Sequence, residues 1–354
     1  MNAMRLAKRV KSCCFRIRRT TICILFPVIC LFFSGKAQDI HYAQFMHSPL
    51  NLNPALTGFF KGDYRFTANH RQQWNSVSIP YKTFSCGLDM NVEKLSSGKN
   101  FTGAGLLLNS DKAGDSEFGT LQAELSLAFS RLLGSDSAHS VSGGIQGGFV
   151  QRSINYSRLT FDSQFNGDVY DPTIPAGEDF QVSRFYYFNI SAGAAWRYRI
   201  SLRHTIGAGV SLQHINRPRQ SFFGEKSVRL PARFQVNLNG GIALSERIML
   251  LPDIVWMRQN TFTEFVAGAR ARFSISEKPG KQYAVFIGLE GRTKDAIIPM
   301  IGLDYNALHM GISYDVNTSG LKRASNGRGG FELALIYIIS KVKSAGLKPP
   351  CVIY

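Results

Sequence analysis

The sequence predicts an all-β protein, a transmembrane antiparallel β-barrel of about fourteen strands with an N-terminal periplasmic tether or plug. Three observations lead there. Apolar and polar residues alternate with period two in one segment after another. Only 18% of residues are charged, while Gly (33) and Phe (26) are abundant, which suits a wall that must be apolar at every second position rather than continuously. The links between segments alternate between short and long.

Residues 1–37 read as a secretory leader. Arg5, Lys8, Arg9, Lys11, Arg16, Arg18 and Arg19 form a basic region, 21–33 an apolar core, and Gly35-Lys36-Ala37 a small-x-small cleavage site, so cleavage is expected after Ala37. The apolar run falls short of the roughly 20 residues a spanning helix needs. The leader holds eight basic residues and no acidic ones, so its removal takes the formal charge from +17 to +9. That is mildly basic, and no dense basic patch interleaved with aromatics follows, which excludes a nucleic-acid partner. Four of the six cysteines leave with the leader; Cys86 and Cys351 are too few for a disulfide framework or a zinc site.

Residues 38–61 match neither the helical nor the strand period and form the tether. The barrel is expected over 62–341 and a basic, Pro-interrupted periplasmic tail over 342–354. Strands are expected near 62–72, 81–91, 101–110, 118–133, 139–152, 184–199, 204–217, 230–244, 248–258, 261–275, 281–291, 296–304, 306–316 and 328–341. The alternation is plainest in three of them. Ile206, Ala208, Val210, Leu212 and His214 oppose Thr205, Gly207, Gly209, Ser211 and Gln213. Phe234, Val236, Leu238, Ile242 and Leu244 oppose Gln235, Asn237, Asn239 and Gly241, and Leu121, Leu125, Leu127 and Phe129 oppose Gln122, Glu124, Ser126 and Ser130. Each segment can cross a membrane at about 9–11 tilted residues, and an even count lets the barrel close so that no edge is left unpaired in lipid.

With the mature N-terminus in the periplasm, links after even strands (92–100, 134–138, 200–203, 245–247, 276–280 and the corner at 304–305) are mostly short. Links after odd strands (73–80, 110–117, 153–183, 217–229 and 317–327) are mostly longer. Short periplasmic turns and long outer loops are the asymmetry of outer-membrane barrels. Aromatics near strand ends, among them Tyr64, Tyr81, Phe101, Phe118, Tyr186, Tyr198, Tyr314 and Phe331, fit interfacial girdles or the ordinary aromatic preference of strands. Arg197, Arg199, Arg270, Arg272, Glu290 and Glu332 fall on polar faces, where internal ion pairs are expected to fill the lumen.

Chemistry-bearing patterns are lacking. The seven histidines have no metal-ligand spacing, no phosphate-binding glycine loop occurs, and Gly143-Gly144 and Gly147-Gly148 fall inside a strand pattern, where they mark a kink or close packing. The loop at 153–183 carries Asp162, Asp168, Asp171, Glu178 and Asp179 without calcium-loop spacing, and reads as a solvated loop able to contact a partner. No enzyme, metal or other cofactor is expected.

An ordered set of residues carries a resemblance: Gln38-Asp39, Gln44-Phe45, Ser48-Pro49-Leu50, Leu52-Asn53-Pro54-Ala55-Leu56-Thr57-Gly58, Arg71, Gln73-Trp74, Pro80-Tyr81-Lys82-Thr83-Phe84 and Asp89. On these the chain resembles the PorP/SprF family of outer-membrane proteins associated with type IX secretion and gliding motility. It departs from the family in its His70-Arg71-Gln72-Gln73-Trp74 and in its Pro349-Pro350-Cys351-Val352-Ile353-Tyr354 end. The resemblance implies a non-enzymatic barrel in the outer membrane and its lipid. It also implies a partner, either the C-terminal domain of a secreted adhesin or periplasmic lipoprotein and peptidoglycan-binding components of the apparatus. Gln44, Phe45, Asn53, Pro54, Gly58, Arg71, Gln73, Trp74, Pro80 and Tyr81 are the candidate partner-binding residues. The competing class is a fatty-acid-transporter-like channel for small hydrophobic substrates, which shares the strand count and an N-terminal plug.

Overall fold

The computed structural model describes residues 39–73, 79–94, 100–134, 137–178, 182–278, 281–320 and 322–340. The expected leader, Trp74 and the expected tail with Cys351 lie outside these. Fourteen strands follow the tether: β1 (Tyr64–Gln73), β2 (Tyr81–Lys94), β3 (Asn100–Ala113), β4 (Phe118–Leu133), β5 (His139–Ser153), β6 (Arg184–Arg199), β7 (Thr205–Gln213), β8 (Arg233–Ala243), β9 (Ile248–Gln259), β10 (Phe262–Lys278), β11 (Lys281–Arg292), β12 (Ala296–Tyr305), β13 (Leu308–Asn317) and β14 (Arg328–Ile339). Each pairs antiparallel with its sequence neighbours. β1 pairs with β14 from Tyr64↔Ile339 to Gln73↔Gly330, which closes the sheet.

Burial in this barrel is inverted relative to a water-soluble domain. Along β4, Leu121, Leu125, Leu127 and Phe129 are more than half exposed, whereas Glu124, Ser126 and Ser130 are 0–3% exposed. The same holds on β8, where Phe234, Leu238 and Ile242 face out while Gln235 and Asn237 are buried. Apolar surface stands outside and polar side chains inside all around the wall, which is the arrangement lipid demands of a spanning barrel. Among the described residues no helix is long and apolar enough to cross a membrane.

Two expectations need correction. His214 was expected to continue the outward face of β7, but the strand ends at Gln213 and His214 has φ +55°. That left-handed turn reverses the side chain inward, where Nδ1 meets Asn189 Oδ1 at 2.7 Å. Phe101 faces the lumen rather than a girdle, stacked on Phe59 of the tether at 6.3 Å between centroids.

The links define two unlike ends. At one, the loop end, lie 154–183, 214–232 and 318–327; at the other, the turn end, corners such as 244–247 and 306–307 close tightly. The long links follow odd strands, as expected.

Candidate functional site

The tether is not packed beneath the barrel, as a periplasmic collar would be, but threaded through it. Its local shape follows from its punctuation. Pro49 and Pro54 each occupy the first position of a short turn, Pro49–Leu52 and Pro54–Leu56, where the missing N–H has no helical partner to lose. Asn53 caps the second, its Oδ1 accepting from Ala55 N at 2.9 Å. Gly58, at φ +66°, turns the chain toward β1. Turns this short leave many backbone groups unpaired, and the barrel wall satisfies them.

The contacts run from end to end. At the loop end, Arg233 Nη1 donates to Ile40 O at 3.1 Å, Arg71 Nη1 to His41 O at 2.7 Å, and His41 Nε2 stands 3.4 Å from Glu264. Deeper in, the backbone N–H groups of Ala43 and Gln44 each donate to Glu332 at 2.8 Å, and Tyr42 Oη meets Ser85 Oγ at 2.5 Å. At mid-height Asn53 Nδ2 donates to Ala194 O and Val210 O at 3.0 and 3.1 Å, and Thr57 Oγ1 meets Ser126 Oγ at 2.5 Å. Near the turn end Gly58 N donates to Asp89 at 2.7 Å, and Arg197 Nη2 donates to Phe59 O at 3.2 Å. The tether therefore enters at the loop end and leaves at the turn end to begin β1.

Glycines of the wall make room for it. A Cβ at Gly103 would stand 2.2 Å from Thr57 O, at Gly144 2.5 Å from Pro54 O, at Gly193 2.0 Å from Asn53 Oδ1, and at Gly311 2.2 Å from Gln44 Oε1. Gly144 thus answers the expectation of close packing, whereas Gly143 beside it faces open space. On the side of β9 and β10 the seat is apolar: Phe45 and Leu52 pack against Val255, Met257 and Val266.

Around this seat the lumen is filled with ion pairs: Arg65–Asp89 at 2.7 Å, Arg71–Asp315 and Arg292–Asp315 at 3.0 Å, Arg270–Asp253 at 2.8 Å and Arg272–Asp304 at 2.5 Å. The polar faces of Arg270 and Arg272 thus carry the internal pairs expected of them, and Glu332 serves the tether's backbone. His47 lies against Arg270, its Nε2 3.3 Å from Nη1. At the turn end an open cavity of about 580 Å³ is lined by Lys61, Arg272, Asp304 and His309. Among the described residues no group of three His, Cys, Asp or Glu could hold a metal ion.

The candidate residues separate into two groups. Gln44, Phe45, Asn53 and Arg71 are 0–5% exposed, Pro54 and Gly58 are also buried, and all six are engaged with the wall or the tether. Gln73, Pro80 and Tyr81 are half-buried at the loop end of β1 and β2. The glycine seat and the lumen residues Asp89, Glu332 and Asp315 were not singled out as binding residues; glycines recurring on the polar faces of separate strands were the available signal.

The family model described as type IX secretion system membrane protein PorP/SprF matches residues 34–337. No curated protein matches the chain. Among solved structures, the Pseudomonas putida toluene transporter TodX is similar at 11% identity, over 86% of this chain and 95% of that one, with TM-score 0.49. A Pseudomonas aeruginosa FadL homologue is similar at 9% identity, over 80% and 92%, with TM-score 0.46.

Proposed function

The chain belongs to the PorP/SprF family of type IX secretion system membrane proteins, and from that premise we propose that it is a closed, non-enzymatic outer-membrane barrel that works by holding protein partners. The observation that carries this reading is the lumen filled by the chain's own tether, with Gln44, Asn53 and Thr57 hydrogen-bonded to its wall. A passage for solutes needs that path open. What remains available to a partner is the two ends: the long loops with Gln73, Pro80 and Tyr81 at one, and the mouth around Lys61 at the other.

The partner at the loop end is the C-terminal domain of a secreted adhesin, and at the turn end the periplasmic lipoprotein and peptidoglycan-binding components that would tie the apparatus to the outer membrane. In this reading Gln44, Phe45, Asn53, Pro54, Gly58 and Arg71 act by closing the barrel, not by touching the partner. The test is a mild-detergent pull-down of the tagged protein from native outer membranes with mass spectrometry, alongside single-channel recording. Capture of a large secreted protein or of periplasmic lipoproteins by a non-conducting barrel is expected. Steady conductance with no captured protein would overturn the reading in favour of a channel.

A further inference from the structure

The cavity at the turn end is walled by Lys61 at the end of the tether, Arg272 on β10, Asp304 and His309 on β12 and β13, Asn306 in the corner between them, and Ile338 on β14. Above it the lumen is taken. Arg272 is in register with Phe286, and His47 of the tether stacks on that ring at 6.2 Å between centroids. One pleat deeper, Arg270 meets the same histidine. A chain entering from the turn end therefore runs into the tether, so the cavity takes a chain's end and not a chain passing through.

Its polar groups are unequally matched. Asp304 is the only carboxylate among the described lining residues, and both its oxygens are engaged: Oδ2 accepts from Arg272 Nε at 2.5 Å and Oδ1 from His309 Nδ1 at 2.9 Å. Arg272 Nη1 donates to Ser274 Oγ at 2.9 Å, and Nη2 has no hydrogen bond among the described residues. Lys61 is exposed and, among the described residues, has neither a hydrogen bond nor an ion pair. Asn306 Oδ1 accepts from Gln282 N at 2.9 Å, which leaves the amide N–H groups for another partner. Spare donors thus outnumber spare acceptors. With Asp304 balancing Arg272, the fixed charge left over is that of Lys61, a single positive charge suited to a monoanion.

We propose that this mouth binds the C-terminal carboxylate of an extended polypeptide, held by Lys61 Nζ, Arg272 Nη2 and the Asn306 amide. The proposal rests on the reading that protein partners are held at the turn end, and names the group they present there. Capture of a terminal carboxylate is a recurring mode of peptide recognition, and hydrogen bonds between ionised partners are the strong ones. A volume of about 580 Å³ falls in the range of sites that enclose a whole small ligand, about 300–1,000 Å³, so residues behind the carboxylate enter with it. Ile338, beside the cations, gives an apolar side chain of that segment a surface to cover. The blind roof selects a chain end over an internal Asp or Glu, whose chain would have to turn back on both sides.

The test titrates the full-length folded protein in neutral detergent into tetra-alanine labelled at its N-terminus with a neutral dye, read by fluorescence anisotropy. The peptide with a free C-terminal carboxylate is expected to bind, and its C-terminal amide to bind about tenfold more weakly or worse. Lys61→Gln should weaken binding by about tenfold, and Arg272→Lys, which still faces Asp304 but lacks Nη2, should weaken it too. Lys281→Gln, exposed on β11 at the same end but outside the cavity wall, should leave it unchanged. Heat-modifiable gel migration checks that each variant is a folded barrel. Equal binding of the amide, or unchanged affinity in Lys61→Gln and Arg272→Lys, would overturn the proposal. Acetate displacing the labelled peptide as well as unlabelled peptide does would overturn it too, assigning the donors to a free anion. So would binding seen only after truncation beyond Ser340, a lining residue, since the mouth would then belong to the segment that follows in this chain. The pull-down keeps the two readings apart. Periplasmic partners captured without any carboxylate-dependent peptide binding would sink the pocket and leave the anchoring reading, whereas carboxylate-dependent binding without captured partners would support the pocket and sink the anchoring.

Discussion

Asn53 and Gly193 share one space: a Cβ on Gly193 would stand 2.0 Å from Asn53 Oδ1. The amide caps one turn of the tether and ties it to the carbonyls of β6 and β7. Gly193→Ala should therefore unseat the tether locally, lowering stability in urea by about 1–3 kcal/mol as overpacking does. Brief conducting events in planar bilayers should accompany that loss. Gly143→Ala, on a position with open space around it, is the control and should change neither. Equal stability of the two variants would mean that the seat does not depend on the missing side chain.

Asp89 holds three groups at once. Its carboxylate accepts from Arg65 Nε and Nη2 at 2.9 and 2.7 Å and from Gly58 N at 2.7 Å, while Arg65 also donates to Leu56 O. Asp89→Asn keeps the shape but leaves a buried guanidinium without its counter-charge, and is expected to cost about 3–5 kcal/mol in urea unfolding. Replacing both members by Arg65→Met/Asp89→Leu should cost less than the single change. A double variant worse than Asp89→Asn would show that the tether's own hydrogen bonds, not the ion pair, dominate.

How much of this was legible beforehand differs between wall and seat. The bounds 118–133 and 184–199 were readable for β4 and β6 because each strand alternates against lipid on one side and a polar lumen on the other, a local pattern with no competitor. His214 broke the pattern through a single left-handed residue, which periodicity cannot register. The seat was hidden for a different reason. Gly103, Gly144, Gly193 and Gly311 lie on four separate strands, and only barrel closure brings them around one segment. The threading direction was hidden too, since Ile40 and His41 are held by Arg233, Arg71 and Glu264 from three different strands.

The threaded path predicts which side of the membrane the start of the tether faces. Ile40 and His41 lie at the end bearing the long links 154–183 and 214–232, and the chain reaches β1 only after crossing the lumen. Long links mark the outer face of such barrels, so Ile40→Cys should react with a membrane-impermeant maleimide added to intact cells, and Ser340→Cys, past the end of β14, only after the cells are opened. Cys86, exposed on the outward wall of β2, and Cys351 are first changed to serine so that neither contributes. Labelling of position 340 but not 40 on intact cells would invert the barrel, and with it the side on which each partner is sought. Labelling of neither before opening would place the tether's entry out of reach from outside, against the path its contacts trace.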